Sequence, residues 1–206
     1  MNEIELLKRN LQAYPNIRLL ISEKDIKKWE KKLSGYSNPI ADYIEKSKFN
    51  ILTSLISVNH YDASQRLLRF LEDSLTLFPD LVNSDTFKRN IKSLEDNAFF
   101  SFLSELSLSR YLNEQGFTIT FNTGFKRIKK GTTVSRDIDI EASSKDNQKI
   151  YFEVYTPINE TDINGFFDLP SIGDKFEQKI KDKEFDKFDG IVTGELNGLI
   201  IFAVNY

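Results

Sequence analysis

Two short segments, Arg136-Asp-Ile-Asp-Ile-Glu-Ala142 and Ile150-Tyr-Phe-Glu-Val-Tyr-Thr-Pro157, constrain the fold most. In the first, Ile138 and Ile140 alternate with Asp137, Asp139 and Glu141. In the second, Phe152 and Val154 alternate with Tyr151, Glu153 and Tyr155. Successive side chains of a strand point to opposite sheet faces, so both segments predict strands with acids on one face and apolar residues on the other. The polar stretch Ser143–Lys149 between them suits a hairpin. That pairing sets Glu153 opposite Asp137 or Asp139, because a register shift of two residues exchanges them without changing the face. Clustered carboxylates repel unless a cation or a proton relieves them. The pattern therefore points to a divalent metal site.

The rest of the chain falls into two regions. Residues 1–94 read as helices, a predicted α-helical N-terminal domain. Ser22-Glu-Lys-Asp25 resembles a capping box ahead of Ile26, Trp29 and Leu33, and Gly35 is a stop. Pro39 opens a helix with Ile40, Tyr43 and Ile44; another carries Leu67, Leu68, Leu71, Leu75 and Phe78 and stops at Pro79; Ser84-Asp85 caps the next. The second region, 95–206, starts with a helix from Ala98 to Gln115, stopped by Gly116. A strand at Phe117–Asn122, a basic loop and the two acidic strands follow. A helix running from about Ser171 to Lys187 comes next, and Gly198–Asn205 reads as a buried central strand because its apolar run is continuous. The fold class is thus α/β (α+β), with an αβββαβ core around a mixed central sheet.

Composition removes several function classes. The 206 residues contain no cysteine, which excludes disulfides, thiol catalysis and Cys–zinc sites and suits a cytoplasmic protein. The one histidine, His60, reads as a polar residue at a helix end. There is no apolar run long enough for a membrane span, and the acidic, amphipathic start at Met1 does not read as a signal peptide. Net charge is −3, unlike a strongly basic nucleic-acid binder. Cations nonetheless flank the acidic strands. Lys126, Arg127, Lys129, Lys130 and Arg136 precede them, and Lys175, Lys179, Lys181, Lys183 and Lys187 follow. Such flanks suit a phosphate backbone delivered to a metal.

In element order and acidic positions, residues 95–206 resemble the PD-(D/E)xK nuclease superfamily, the restriction-endonuclease-like fold. The resemblance assigns Glu105 to the glutamate on the helix before the first strand. Asp137 or Asp139 takes the place of the second-strand aspartate, and Glu153 that of the third-strand acid. The motif lysine is absent, because Tyr155 stands in its place, and the proline before the aspartate is absent too. In some superfamily members the lysine comes from the following helix. Here Lys175, Lys179 and Lys183 recur every four residues with Gln178 beside them; Lys179 is the first candidate.

The resemblance implies a metal-dependent nuclease cleaving phosphodiester bonds, in DNA before RNA. Bound Mg²⁺, with Mn²⁺ as substitute, lowers the pKa of its water and stabilises charge on phosphate oxygens. Asp137 or Asp139 and Glu153 would be its ligands, with Glu105 in support. The basic flanks, Lys126 to Arg136 and Lys175, Gln178 and Lys183, would contact the nucleic acid. A homodimer is a possible assembly, since two strands need two sites. The competing expectation is a nuclease-fold module without catalysis, serving in nucleic-acid binding or assembly; the missing lysine and the acidic net charge favour it.

Overall fold

A computed structural model describes residues 3–35, 50–94, 96–155, 177–178, 180–181 and 187–204. The expected helix after Pro39 lies outside these residues. So do most of the expected helix before the last strand and the candidates Lys175, Lys179 and Lys183. The chain divides into two compact units, Met1–Phe102 and Leu103–Tyr206. The division falls inside a helix rather than at residue 94, where the change of sequence pattern lies.

The first unit is helical. It contains α1 (Glu3–Gln12), α2 (Pro15–Leu20), α3 (Glu23–Leu33), α4 (Ile51–Ser57), α5 (Asp62–Leu77), a 3₁₀ turn (Pro79–Asn83), α6 (Asp85–Ile91) and the start of α7 (Asp96–Glu114). Every residue of α4 is buried, Thr53, Ser54 and Ser57 included. Its polar groups are satisfied locally: Asn50 and Thr53 form a capping box, and the Thr53 and Ser54 hydroxyls donate to the Asn50 carbonyl. The N-terminus of α2 has no side-chain cap of its own. Instead the Glu72 carboxylate of α5 accepts from the Asn16 and Ile17 N–H groups at 2.8 and 3.0 Å, an anion where the helix dipole favours one. Ser22 and Asp25 cap α3 reciprocally, as their spacing predicts. Ser84 caps α6 by accepting from the Phe87 N–H.

The second unit is a four-stranded sheet in the order β1-β2-β3-β4. β1 (Thr118–Lys129), β2 (Thr132–Ser143) and β3 (Lys149–Tyr155) are antiparallel neighbours, and β4 (Gly198–Val204) runs parallel to β3. The mixed α/β architecture is as the sequence predicts, with two differences of detail. The segment expected to be a basic loop is strand: β1 and β2 run on to Lys129 and Thr132 around a two-residue turn, with Lys130 and Gly131 at φ 51° and 77°. And β4 is an edge of the described sheet rather than its centre, with Leu199 63 % exposed.

The sheet carries two apolar clusters. Leu108 and Leu112 of α7 pack with Ile140, Ala142, Phe152 and Val154. Phe125, Ile138 and Tyr151 gather with Phe188, Ile191, Leu196 and Ile200. Ile138 and Ile140 thus enter different clusters, although strict alternation puts them on one face. The cause is a break between them. Asn122 adopts a left-handed φ of 51°, and the β1–β2 pairing skips from Phe121↔Ile140 to Thr123↔Ile138. No described helix is long and apolar enough to cross a membrane.

Candidate functional site

The break in the hairpin falls at Asp139. On one side, the β1–β2 register passes from Phe121↔Ile140 to Thr123↔Ile138. On the other, the β2–β3 ladder ends at Ile140↔Phe152, one residue short of Asp139 and Glu153. Where the ladder stops, a side chain continues it: Asp139 Oδ2 accepts from the Val154 N–H at 2.7 Å. This separates the two aspartates that the sequence leaves equivalent. Asp139 is half-buried and bonded to β3, whereas Asp137 is exposed beside Gly124.

Glu153 lies on the inner strand β3, paired with Phe202 of β4, and is only 2 % exposed. A carboxylate removed from water this far needs a cation. Lys187 supplies it, its Nζ donating to Oε1 at 2.7 Å and to Oε2 at 2.6 Å. Lys187 is held in turn by its neighbours. Its ammonium sits 5.8 Å from the centroid of the Phe188 ring. That ring stacks on Phe125 at 5.7 Å and meets Phe202 edge-on at 5.8 Å. Just beyond, the chain is tied to the free edge of β1: the Ile128 N–H donates to the Gly190 carbonyl at 2.7 Å, and the Val192 N–H to the Lys126 carbonyl at 3.0 Å. The Lys126 N–H donates to Glu195 Oε2.

Sequence reasoning did not single out Lys187, although its signal was there. The four-residue spacing of Lys175, Lys179 and Lys183, carried one step further, reaches it. Of the other expected site residues, Glu105 is half-buried on α7 and Gln178 is exposed and helical. Lys126, Lys130 and Arg136 are exposed and Lys129 is half-buried, while Arg127 is 2 % exposed and bridges Ile191. Glu141, the third acid of the alternating stretch, has a structural partner in Lys149 at 2.6 Å. That carboxylate raises the Lys149 ammonium pKa above its ordinary value.

Among the described residues, no three His, Cys, Asp or Glu side chains converge closely enough to hold a metal ion. The donors next to the end of the ladder do fit Mg²⁺ in kind. Asp139 and Glu153 are hard oxygen donors, and Mg²⁺ takes one or two carboxylates and fills its remaining positions with water and phosphate. No family model matches the chain, and no curated protein or solved structure matches it.

Proposed function

We propose that the chain is a Mg²⁺-dependent nuclease that hydrolyses phosphodiester bonds in DNA, with Asp139, Glu153 and Lys187 as its working residues. One observation carries this reading: a nearly fully buried glutamate beside a ladder-end aspartate has a lysine on both its oxygens. An acid, a second acid and a lysine are the functional groups of the PD-(D/E)xK set. Here the lysine comes from a point 34 residues along the chain rather than two.

Asp139 and Glu153 would hold the ion, which when bound supplies a water of lowered pKa and a countercharge for phosphate oxygens. The chain's own residues do the rest. Val154 fixes the Asp139 carboxylate through its N–H, so the second oxygen has a set direction. Lys187 bonds both oxygens of the buried Glu153 carboxylate and presents N–H donors that can orient an attacking water or meet charge developing on the phosphate. Phe188, itself packed on Phe125 and Phe202, limits the positions the lysine can take, which reduces the reorganisation its role requires.

The test is cleavage of supercoiled, linear and single-stranded DNA in Mg²⁺ or Mn²⁺ by the native sequence, Glu153→Gln and Lys187→Gln. The expected result is metal-dependent cleavage that falls about a hundredfold or more in each variant, the scale of losing a positioned electrostatic group. The second reading, an inactive binding module, is favoured by the occupancy of both Glu153 oxygens by Lys187, which leaves the glutamate already neutralised. Folded native protein that cleaves no substrate in either metal would decide for it.

A further inference from the structure

The helical unit contains a concave cavity of about 880 Å³ lined by α3, α6 and the start of α7. Its walls are cationic although the chain as a whole is negative. α3 contributes Lys28, Lys32 and Trp29, the last only 2 % exposed. α6 contributes Lys88 and Arg89, and Lys92 follows at its end. Two carboxylates share the lining, Asp25 and Asp85. Asp25 is already engaged by the Ser22 cap and by Lys92 at 3.2 Å, so the cations of the walls outweigh the remaining acid. Like charges on concave low-dielectric walls reinforce one another and concentrate counter-ions.

The spacing suits a polymer better than a single small anion. Lys28 and Lys32 are one helical turn apart, about 6 Å along the axis, and Lys88 and Arg89 provide a second row on another helix. Lys28, Lys32 and Arg89 are exposed, and Lys88 is half-buried. We infer that this groove of the helical unit binds the phosphate backbone of a nucleic acid. The inference does not depend on cleavage: an inactive protein could use the groove equally well.

The experiment is titration of a labelled short DNA duplex with the full chain in EDTA over a range of salt concentrations. Two variants are compared with the native sequence. K28Q/K32Q/R89Q empties the groove of three cations. K24Q/K27Q/K31Q removes the same charge from exposed positions on α3 outside the lining. The groove variant should bind at least about tenfold more weakly at low salt, with the slope of log K against log salt shallower by roughly 2 to 3, at about 0.9 for each phosphate no longer neutralised. The K24Q/K27Q/K31Q variant should keep the native slope. Equal weakening in both lysine triples would reduce the effect to net charge and overturn the inference, as would a groove variant that binds like the native chain. Competition by a mononucleotide as effective, phosphate for phosphate, as unlabelled duplex would also overturn it, because the site would then take a small anion.

Discussion

At the scale of single residues, Asp139 carries a bond and a charge that different substitutions separate. Asp139→Ala removes the acceptor of the Val154 N–H at the end of the ladder, and an orphaned buried donor costs about 1–3 kcal/mol. Asp139→Asn keeps an oxygen in reach and loses the charge. Denaturant melts should therefore show a loss of about 2 kcal/mol for alanine and under about 1 for asparagine, while both lower cleavage alike. Equal destabilisation would mean that the Val154 bond is not what holds the strand end. Lys187→Met strips the partner from a buried carboxylate and should cost about 3 kcal/mol. Adding Glu153→Gln to it should restore part of that loss, a coupling readable in a double-mutant cycle. The acids of this candidate site stood out in the sequence because strand alternation is a local pattern. The pairing of Lys187 with Glu153 did not, because the two lie 34 residues apart and a periodicity within one segment says nothing about contacts between segments.

Element boundaries show the same division between local and non-local causes. Ser22-Glu-Lys-Asp25 was readable as a cap because all its bonds are made within four residues. Gly116 was readable as a helix stop because φ of 90° suits glycine. The β1–β2 turn was obscured by its residues. Lys130-Gly131 fills a turn that usually takes Asn-Gly, and the cations around it looked like a solvated loop. Yet Thr132-Thr133-Val134 is β-branched, and Phe125 is 2 % exposed in the core. Both turn residues have positive φ, so Gly131→Val should destabilise by about 1–2 kcal/mol. Lys130→Asn should be neutral or stabilise by a few tenths, since asparagine tolerates that region. A Gly131→Val protein melting like the native one would show that the turn is not formed. The placement of β4 is a different kind of error. A continuous apolar run indicates contact on both faces, and says nothing about whether both edges are paired. Gly198 is better explained by packing: a Cβ there would run into the Lys149 carbonyl oxygen of the neighbouring strand.

For the whole molecule, Asp25 of the helical unit and Lys149 of the sheet unit respond at opposite ends of the pH scale. In the helical unit, burial pushes the Asp25 carboxyl pKa up, but the Ser22 hydrogen bonds and Lys92 outweigh it and bring the pKa below the ordinary 3.8. The native state then binds that proton less readily than the unfolded chain. Its contribution to stability is fully present above about 3.8 and is lost as pH falls through the native value. In the sheet unit, the Glu141 hydrogen bond raises the Lys149 pKa above 10.5, against a smaller desolvation effect. That contribution is complete below 10.5 and is lost as pH rises through the native value. Trp29, the chain's one tryptophan, belongs to the helical unit and lines the same cavity as Asp25. Its fluorescence can therefore follow one unit of the chain. Midpoints of Trp29-monitored melts should fall as pH is lowered through the acid range, and Asp25→Asn should flatten that fall. Lys149→Met should leave the acid limb of the Trp29 signal as it was and change only the alkaline limb of a far-ultraviolet signal that includes the sheet. An acid limb that stays as steep in Asp25→Asn would assign it to other carboxylates, and the capping box with Lys92 would lose its place as the acid-sensitive point of the helical unit.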